Sequence, residues 1–280
     1  MNETFALIFS FSMPAFVIFS MITMGLGLSA TQIIEPFKNV KMVILALIAN
    51  FVAVPLFVFA IITLIPLDEG VRIGLILLSL CGGAPFIPMI VSMAKSQVGS
   101  AVGLMLLLVI ATIFLMPLAI PFLFTGASVS SWGIAQSLIF TVLIPLLIGL
   151  LIKAYFSTLA AHLQKFTTLL TNLLVLTLVI AMLVLYSEII INNVMVLPII
   201  FLFFLGSMGV GYLAGGKNRN ARIILSVGTS LRNPPIAMLV ASSNFSDKPM
   251  AAIVPLLVIV IGLSILFPLA KRIGNKTQAV

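Results

Sequence analysis

The sequence contains few of the residues that cover a soluble protein or carry out its chemistry. Charged residues make up only 7% of the 280 residues, whereas hydrophobic residues make up 62%. A soluble domain of this length could not bury so much apolar surface, so the composition excludes one. The apolar residues form runs of roughly 20, the length of a transmembrane helix, and they predict an all-α integral membrane protein.

Cysteine and histidine occur once each, as Cys81 and His162. A single cysteine excludes an intrachain disulfide, and this pair alone supplies no metal-binding motif. We interpret Cys81 as a small packing residue inside a helix and His162 as a solvated residue in a polar loop. The apolar runs also contain no Ser/His arrangement, paired Asp or HExxH motif. We therefore predict no catalytic residue, no resident cofactor or metal, and no enzyme activity.

The apolar runs predict about nine transmembrane spans. Their predicted ranges are 5–27, 40–66, 71–94, 98–124, 132–152, 166–187, 194–215, 221–244 and 250–270. Eleven of the 14 Lys and Arg residues fall on one side of the membrane, and only Arg72 and Lys248 fall on the other. This bias predicts an outside N-terminus and a cytoplasmic C-terminus. It also explains the net charge of +8 without a nucleic-acid partner.

Two of the predicted spans contain interruptions. Pro234 and Pro235 lie within an apolar span, where proline removes a backbone donor and clashes with the preceding turn. The earlier span contains Gly82, Gly83, Pro85 and Pro88 in the same way. We therefore predict broken helices near 82–88 and 228–235. Paired broken helices in the two halves of a membrane protein are typical of a transporter's binding site.

Arg232 is the one charge predicted to lie in the membrane interior, and it adjoins the second break. An intramembrane ionisable residue indicates a functional site because its insertion costs about 2.5–3.5 kcal/mol. The alternative is a structural role, in which Arg232 pairs with backbone carbonyls that the breaks leave free. Other polar residues lie at a comparable depth, and each could simply form an interhelical hydrogen bond. They are Asn50, Ser79, Thr229, Ser230 and Asn233.

The order of the spans predicts an inverted-topology repeat. The first half would comprise residues 1–126, and residues 127–280 would add one unpaired helix and the second half, in one transporter unit. The two broken helices are expected to cross at mid-membrane, with helix N-termini at the crossing point. Together with Arg232, these N-termini would form an electropositive pocket for an anion, most simply a carboxylate.

Over nearly its whole length the chain resembles the bile acid:sodium symporter (BASS) family. The similar segments are 14–31, with Met24 to Leu28, then 50–55, 81–95 and the Arg232-Asn233 pair. The family usually has one more helix at the start. The resemblance implies a core domain with two crossing broken helices, a panel domain beside it, and alternating access by their relative movement.

The sodium-binding positions that the resemblance implies lack their usual side chains. The family's polar ligands fall on Ile87, Pro88, Ala101, Met105, Gly228, Thr229, Leu231 and Asn50. Most of these side chains carry no oxygen, although Asn50 stays polar and backbone carbonyls at the breaks also offer oxygens. We therefore predict that sodium coupling is weakened or lost. Arg232 would replace one sodium ion by bonding freed carbonyls and Asn50.

The sequence thus predicts a secondary transporter of a small carboxylate-bearing organic anion or zwitterion. Its predicted substrate-binding residues are Asn233, Arg232, Pro85, Phe86, Pro88 and Asn50. Facilitated transport, exchange and proton coupling remain open as driving mechanisms. We expect a multi-pass protein of the plasma membrane, a bacterial inner membrane, that is a monomer or a weak homo-oligomer. The alternative is a ligand-binding or sensory membrane protein that keeps the fold without transport, and a channel is the remaining possibility.

Overall fold

The computed structural model of the chain describes residues 2–29, 31–32, 39–124 and 130–278. These residues form helices and no strands, and eight segments are long and apolar enough to cross a membrane. Seven of these segments are single helices, and the eighth, Arg219–Asn244, comprises the two helices on either side of the second break. The predicted all-α membrane fold is therefore confirmed. In chain order the helices are α1 (Asn2–Gly27), α2 (Val40–Leu64), α3 (Glu69–Leu80), α4 (Ile87–Met93), α5 (Val98–Leu123), α6 (Ser131–Tyr155), α7 (Ser157–Asn192), α8 (Val196–Ala214), α9 (Arg219–Ser230), α10 (Pro234–Asn244) and α11 (Met250–Gln278).

Both predicted interruptions fall between short helices. The predicted span 71–94 consists of α3 and α4, which are separate and too short to be spans by themselves. The span 221–244 consists of α9 and α10, which are separated by Leu231 to Asn233. In both cases prolines occupy the first turn of the second helix. Backbone N–H groups in a first turn have no intrahelical acceptor, so proline's missing N–H costs no hydrogen bond there.

Two of the long helices widen into a π-helical turn just before a proline. The turns cover Ala49–Ala53 in α2, before Pro55, and Ile139–Leu143 in α6, before Pro145. An α-helical turn would press the proline ring against the carbonyl four residues earlier, and the wider turn relieves that clash. The same local chemistry therefore shapes both helices.

Helix α7 is longer than the sequence analysis predicted. It contains no proline or glycine from residue 157 to residue 192, and its one departure from helical geometry is a kink at Tyr186, with φ −126° and ψ 15°. Much of the predicted connector before residue 166 is therefore helical. The prediction that His162 lies in a polar loop is wrong: His162 is exposed on α7, and its Nδ1 lies 2.9 Å from the carbonyl oxygen of Thr158.

The helices pack in two groups. Helices α1, α6 and α7 pack against one another, and the helices from α2 to α5 and from α8 to α11 form the larger group. Gly25 of α1 faces Gly149 of α6 so closely that a Cβ on Gly25 would lie 2.9 Å from the Gly149 Cα. Small residues of this kind allow membrane helices to approach each other at backbone distance. Helix α1 also contacts α10 of the larger group.

Candidate functional site

The two helix breaks are hydrogen-bonded to each other. The backbone N–H of Asn233 donates to the Cys81 carbonyl at 2.8 Å, and its side-chain amide donates to the Gly83 carbonyl at 2.9 Å. Gly83 has a φ of +84°, and a Cβ there would collide with the backbone of Met105. Only glycine suits both conditions. The segment 81–84, with Cys81 fully buried, is thus held between α5 and the second break.

Arg232 lies fully buried at this junction. Its Nε donates to the Leu78 carbonyl at 3.0 Å and its Nη2 to the Asn50 carbonyl at 3.0 Å. The guanidinium also donates to the Asn50 Oδ1 and to the Ser79 carbonyl. Four of its five N–H groups are therefore bound to neutral oxygens, and the contact predicted between Arg232, Asn50 and freed carbonyls is present.

Local structure explains why these oxygens are free to accept. Leu78 and Ser79 belong to the last turn of α3, whose carbonyls lack the usual donor four residues on. The Leu78 carbonyl accepts from the Cys81 N–H at 3.1 Å and has a second lone pair for Arg232. In the π-turn of α2 the Val54 N–H bonds to Ala49, so the Asn50 carbonyl would need an N–H five residues on. That residue is Pro55, which has none. The positive charge of Arg232 thus meets the negative end of the α3 dipole and a carbonyl orphaned by proline.

Thr112 of α5 ties the first break to the larger helix group. Its Oγ1 accepts from the Gly82 N–H at 2.9 Å and lies 2.8 Å from the Leu108 carbonyl, to which it donates. Gly82 lies outside any helix, so the Gly82 N–H has no helical acceptor, and the Thr112 hydroxyl accepts its hydrogen bond instead. The break is therefore specified by side chains from α5 and from the second break.

The predicted sodium positions offer few side-chain oxygens. Ile87, Ala101, Met105 and Leu231 are buried and apolar, and Pro88 and Gly228 likewise carry no oxygen. The remaining hydroxyl, on Thr229, lies 2.7 and 2.8 Å from the carbonyl oxygens of Ser207 and Leu225 and can donate its one proton to either. The described residues also contain no cluster of three or more His, Cys, Asp or Glu. A sodium ion prefers oxygen ligands, so this set of side chains fits it poorly.

A cavity of about 570 Å³ lies between the two helix groups. Pro85, Phe86 and Pro88 line it from the first break, and Met105 lines it from α5. The facing wall belongs to α1 and α7 and is more polar. The polar side chains of that wall are Ser20, Thr23, Gln164, Thr168, Thr171 and Asn172. Because the wall includes the C-terminal end of α1, the cavity lies toward the side predicted to be rich in Lys and Arg, and we call it the basic-side cavity.

The structure therefore separates the predicted substrate residues into two sets. Pro85, Phe86 and Pro88 line the basic-side cavity, whereas Asn50, Arg232 and Asn233 are fully buried and are not among its lining residues. The predicted pocket at two helix N-termini also needs correction. The α10 N-terminus is buried and its Ile236 N–H bonds to the Asn233 side chain, so only the start of α4 reaches the cavity. The role of these residues in binding substrate stays a prediction.

The polar wall of the cavity was not singled out from the sequence. Gln164, Thr168, Thr171 and Asn172 follow a spacing of four, three and one, which places them on one face of α7. This face was a detectable signal in an apolar span. The predicted span began at residue 166, which left Gln164 outside it and divided this polar face.

A second cavity, of about 420 Å³, lies at the opposite end of the same interface. Phe9 and Tyr186 line it from α1 and α7, and Ser242 and Ser243 line it from α10. Lys248 stands at its edge and pairs with Glu69 at 2.7 Å, a contact that raises the pKa of Lys248. Each helix group therefore contributes to one cavity at each end.

Comparison with known proteins gives one family. The model described as "Sodium Bile acid symporter family" matches residues 14–193, which include the first break and all of α7. The chain has no significant match among curated proteins. The second break and Arg232 lie beyond the matched residues.

Proposed function

The chain belongs to the sodium bile acid symporter family, and from this membership we propose that it is a secondary transporter of a small carboxylate-bearing organic anion or zwitterion. Family membership by itself implies a membrane transporter of organic anions that couples to sodium. The finer proposal adds that this chain works by alternating access with its sodium coupling weakened or lost.

The basic-side cavity is the observation that carries the substrate proposal. Its volume of about 570 Å³ lies within the usual range for small-molecule sites, and its walls combine apolar and polar groups in the usual way. The amides of Gln164 and Asn172 would bind the polar end of a substrate, and Phe86 and Met105 would contact its apolar part. Asn233 would not contact the substrate directly. Its hydrogen bond to the Gly83 carbonyl would instead position the segment that carries Pro85 and Phe86.

The positions of the two cavities support alternating access. Both lie between α1 and α7 on one side and the larger group on the other, at opposite ends of that interface. A movement of α1, α6 and α7 against the larger group would open one cavity while it closes the other. In this proposal the three helices are the panel domain, and the halves 1–126 and 127–280 are the inverted repeats.

The bonds of Arg232 support the proposed loss of sodium coupling. A guanidinium fixed to the chain occupies carbonyl oxygens of the kind that would bind a cation, and it cannot dissociate during a transport cycle. The poor side-chain ligands at the other predicted positions point the same way. The remaining driving force would be the substrate's own gradient, exchange, or a proton.

Thermal stabilisation of the purified protein by a panel of small carboxylates and amino acids tests this function. Each compound is measured in sodium and again with sodium replaced by potassium or choline. We expect at least one compound to stabilise the protein equally in all three salts, and the same compound to be taken up by proteoliposomes without a sodium gradient. Stabilisation that requires sodium would refute the loss of coupling.

Two other outcomes separate the alternatives. Binding without uptake would favour the ligand-binding or sensory reading over transport. Ion conductance in the absence of any bound compound would favour a channel. The proposed orientation, with a cytoplasmic C-terminus in a plasma membrane, is tested separately by the accessibility of single cysteines placed at Lys248 and Lys271 in a variant lacking Cys81. We expect the two positions to react from opposite sides.

A further inference from the structure

A third, nearly apolar space lies away from the basic-side cavity and from the cavity at the opposite end of the same interface. It has a volume of about 400 Å³ and is lined by α4, α8, α9 and α11, with no lining residue from α1, α6 or α7. Leu205 and Tyr212, which border it on α8, are exposed apolar and aromatic side chains of a predicted span and therefore face the bilayer. We call this feature the α8–α11 crevice.

A fixed cation stands at one end of the crevice. Arg222 lies over the Tyr212 ring, with its guanidinium carbon 4.6 Å from the ring centre, and its Nη1 donates to the Tyr212 hydroxyl at 3.1 Å. Its Nε donates to the Gly216 carbonyl. These contacts hold the guanidinium in place while using two of its five N–H groups, so an anion at the crevice would meet an oriented donor.

Ser226 lies one helical turn deeper on the same face of α9. It is only 9% exposed, and its hydroxyl has no hydrogen-bond partner among the described residues. The next hydroxyls on this helix, on Thr229 and Ser230, do donate to helix carbonyls. A buried hydroxyl without a partner that lines an apolar crevice is available to donate to a ligand oxygen there.

The wall of the crevice formed by α8 leaves room for a hydrocarbon chain. Gly209 of α8 lines the crevice, and a Cβ on it would have no heavy atom within 4 Å. The lining on α8 extends from Leu205 to Tyr212, a length of roughly 10 Å at the rise of an α-helix. The space is therefore long, open to the bilayer and apolar apart from Arg222, Ser226 and the Tyr212 hydroxyl.

We propose that the α8–α11 crevice binds one anionic glycerophospholipid. The lipid phosphate would bind Arg222, an ester carbonyl would accept from Ser226, and an acyl chain would lie along Gly209. Arg222 and Ser226 are separated by about 6 Å along the axis of α9, a distance that the glycerol unit of a phospholipid can span. Basic sites between membrane helices commonly bind anionic headgroups.

The surrounding charge favours an anionic lipid over a zwitterionic one. Lys95 follows the lining residue Ala94, Lys271 follows Ala270, and Arg272 precedes Ile273. Described acidic residues are absent from the crevice lining. A phospholipid with net negative charge is therefore favoured by cations adjacent in sequence to the crevice lining, whereas a zwitterionic headgroup has little net charge for them to attract.

Native mass spectrometry of the full-length protein with added phosphatidylglycerol or phosphatidylcholine tests this proposal. We expect one retained phosphatidylglycerol and weaker retention of phosphatidylcholine. Arg222→Gln should lower phosphatidylglycerol affinity on the order of tenfold, because a charge-assisted bond is lost. Gly209→Leu should block the acyl chain, and Ser226→Ala should weaken binding less than Arg222→Gln.

Lys153→Gln is the matched control, because it removes a basic-side charge far from the crevice lining. Thermal unfolding in phosphatidylcholine checks that each variant is folded. Gly209→Leu blocks the crevice while Arg222 is left unchanged, because the space around Gly209 is open. Retention by Arg222→Gln and Gly209→Leu equal to that of Lys153→Gln would overturn the proposal. Equal retention of both lipids, or displacement of the lipid by a carboxylate that the protein transports, would also overturn it.

Discussion

The guanidinium of Arg232 is hydrogen-bonded to both the side-chain and the backbone oxygen of Asn50, which lies 182 positions earlier in the chain. This contact joins α2 to the second helix break, and the bonds from Arg232 to Leu78 and Ser79 add the end of α3. Three elements from both halves of the sequence thus meet on one side chain. Because Arg232 is fully buried, each of these bonds is shielded from water.

Replacement of Arg232 by alanine should destabilise the protein strongly and make it respond to cations. The Asn50 oxygens and the Ser79 carbonyl would lose their Arg232 donors, and each buried acceptor left unpaired costs about 1–3 kcal/mol. The vacated oxygens could then bind sodium. We expect the unfolding temperature of Arg232→Ala to fall in choline and to recover partly in sodium, while the native protein shows no such difference.

Arg72→Ala is the matched control for this experiment. Arg72 is an exposed arginine at the start of α3, outside the bonds that hold the breaks. Its replacement should change stability by about 0.5 kcal/mol or less. If Arg232→Ala is as stable and as active as Arg72→Ala, and equally indifferent to sodium, Arg232 does not act as a tethered cation.

Thr112→Val should destabilise the first break without changing its packing volume. Valine has nearly the shape of threonine but cannot accept from the Gly82 N–H, which would remain buried without a partner. We expect a loss of about 1–3 kcal/mol in the free energy of unfolding. Thr177→Val on α7 is the control, because the Thr177 hydroxyl donates only to the Leu173 carbonyl of its own helix. Equal losses in the two variants would contradict the role given to Thr112.

Local chemistry made much of the fold predictable from the sequence. Pro234 and Pro235 mark the second break, and the isolated charge of Arg232 predicted a bond to carbonyls that the breaks set free. The basic-side cavity was harder to predict because it arises where two helix groups meet, and no local pattern reports that contact. The orphaned Asn50 carbonyl was also missed, since it depends on a π-turn that Pro55 permits but does not by itself require.

Asn172→Leu should weaken substrate binding in the basic-side cavity while leaving the fold intact. Asn172 lines the cavity from α7, and its amide is one of the few groups there able to bind a carboxylate or an amine. Loss of a single hydrogen bond should lower affinity about tenfold, as measured by the ligand-induced shift in unfolding temperature. Thr177→Leu, on α7 outside the cavity lining, should bind like the native protein. An unchanged affinity in Asn172→Leu would place the substrate elsewhere.

The close contact of Gly25 and Gly149 predicts that even one methyl group is too large between α1 and α6. In Gly25→Ala the new Cβ would lie 2.8 Å from the Leu150 nitrogen, so the two helices would have to separate. Overpacking of this kind costs about 1–3 kcal/mol. We expect a lower unfolding temperature and, because α1 forms walls of both transport cavities, a lower rate of uptake at saturating substrate.

Gly133→Ala provides the comparison within α6, since the nearest atom to its Cβ would be 3.6 Å away, an ordinary contact. This variant should unfold and transport like the native protein, or be slightly more stable because alanine favours a helix over glycine. If Gly25→Ala behaves in the same way, α1 and α6 can separate freely. They would then not move together as one domain against the larger helix group. The proposed alternating access, which requires α1, α6 and α7 to move as a rigid body, would be contradicted.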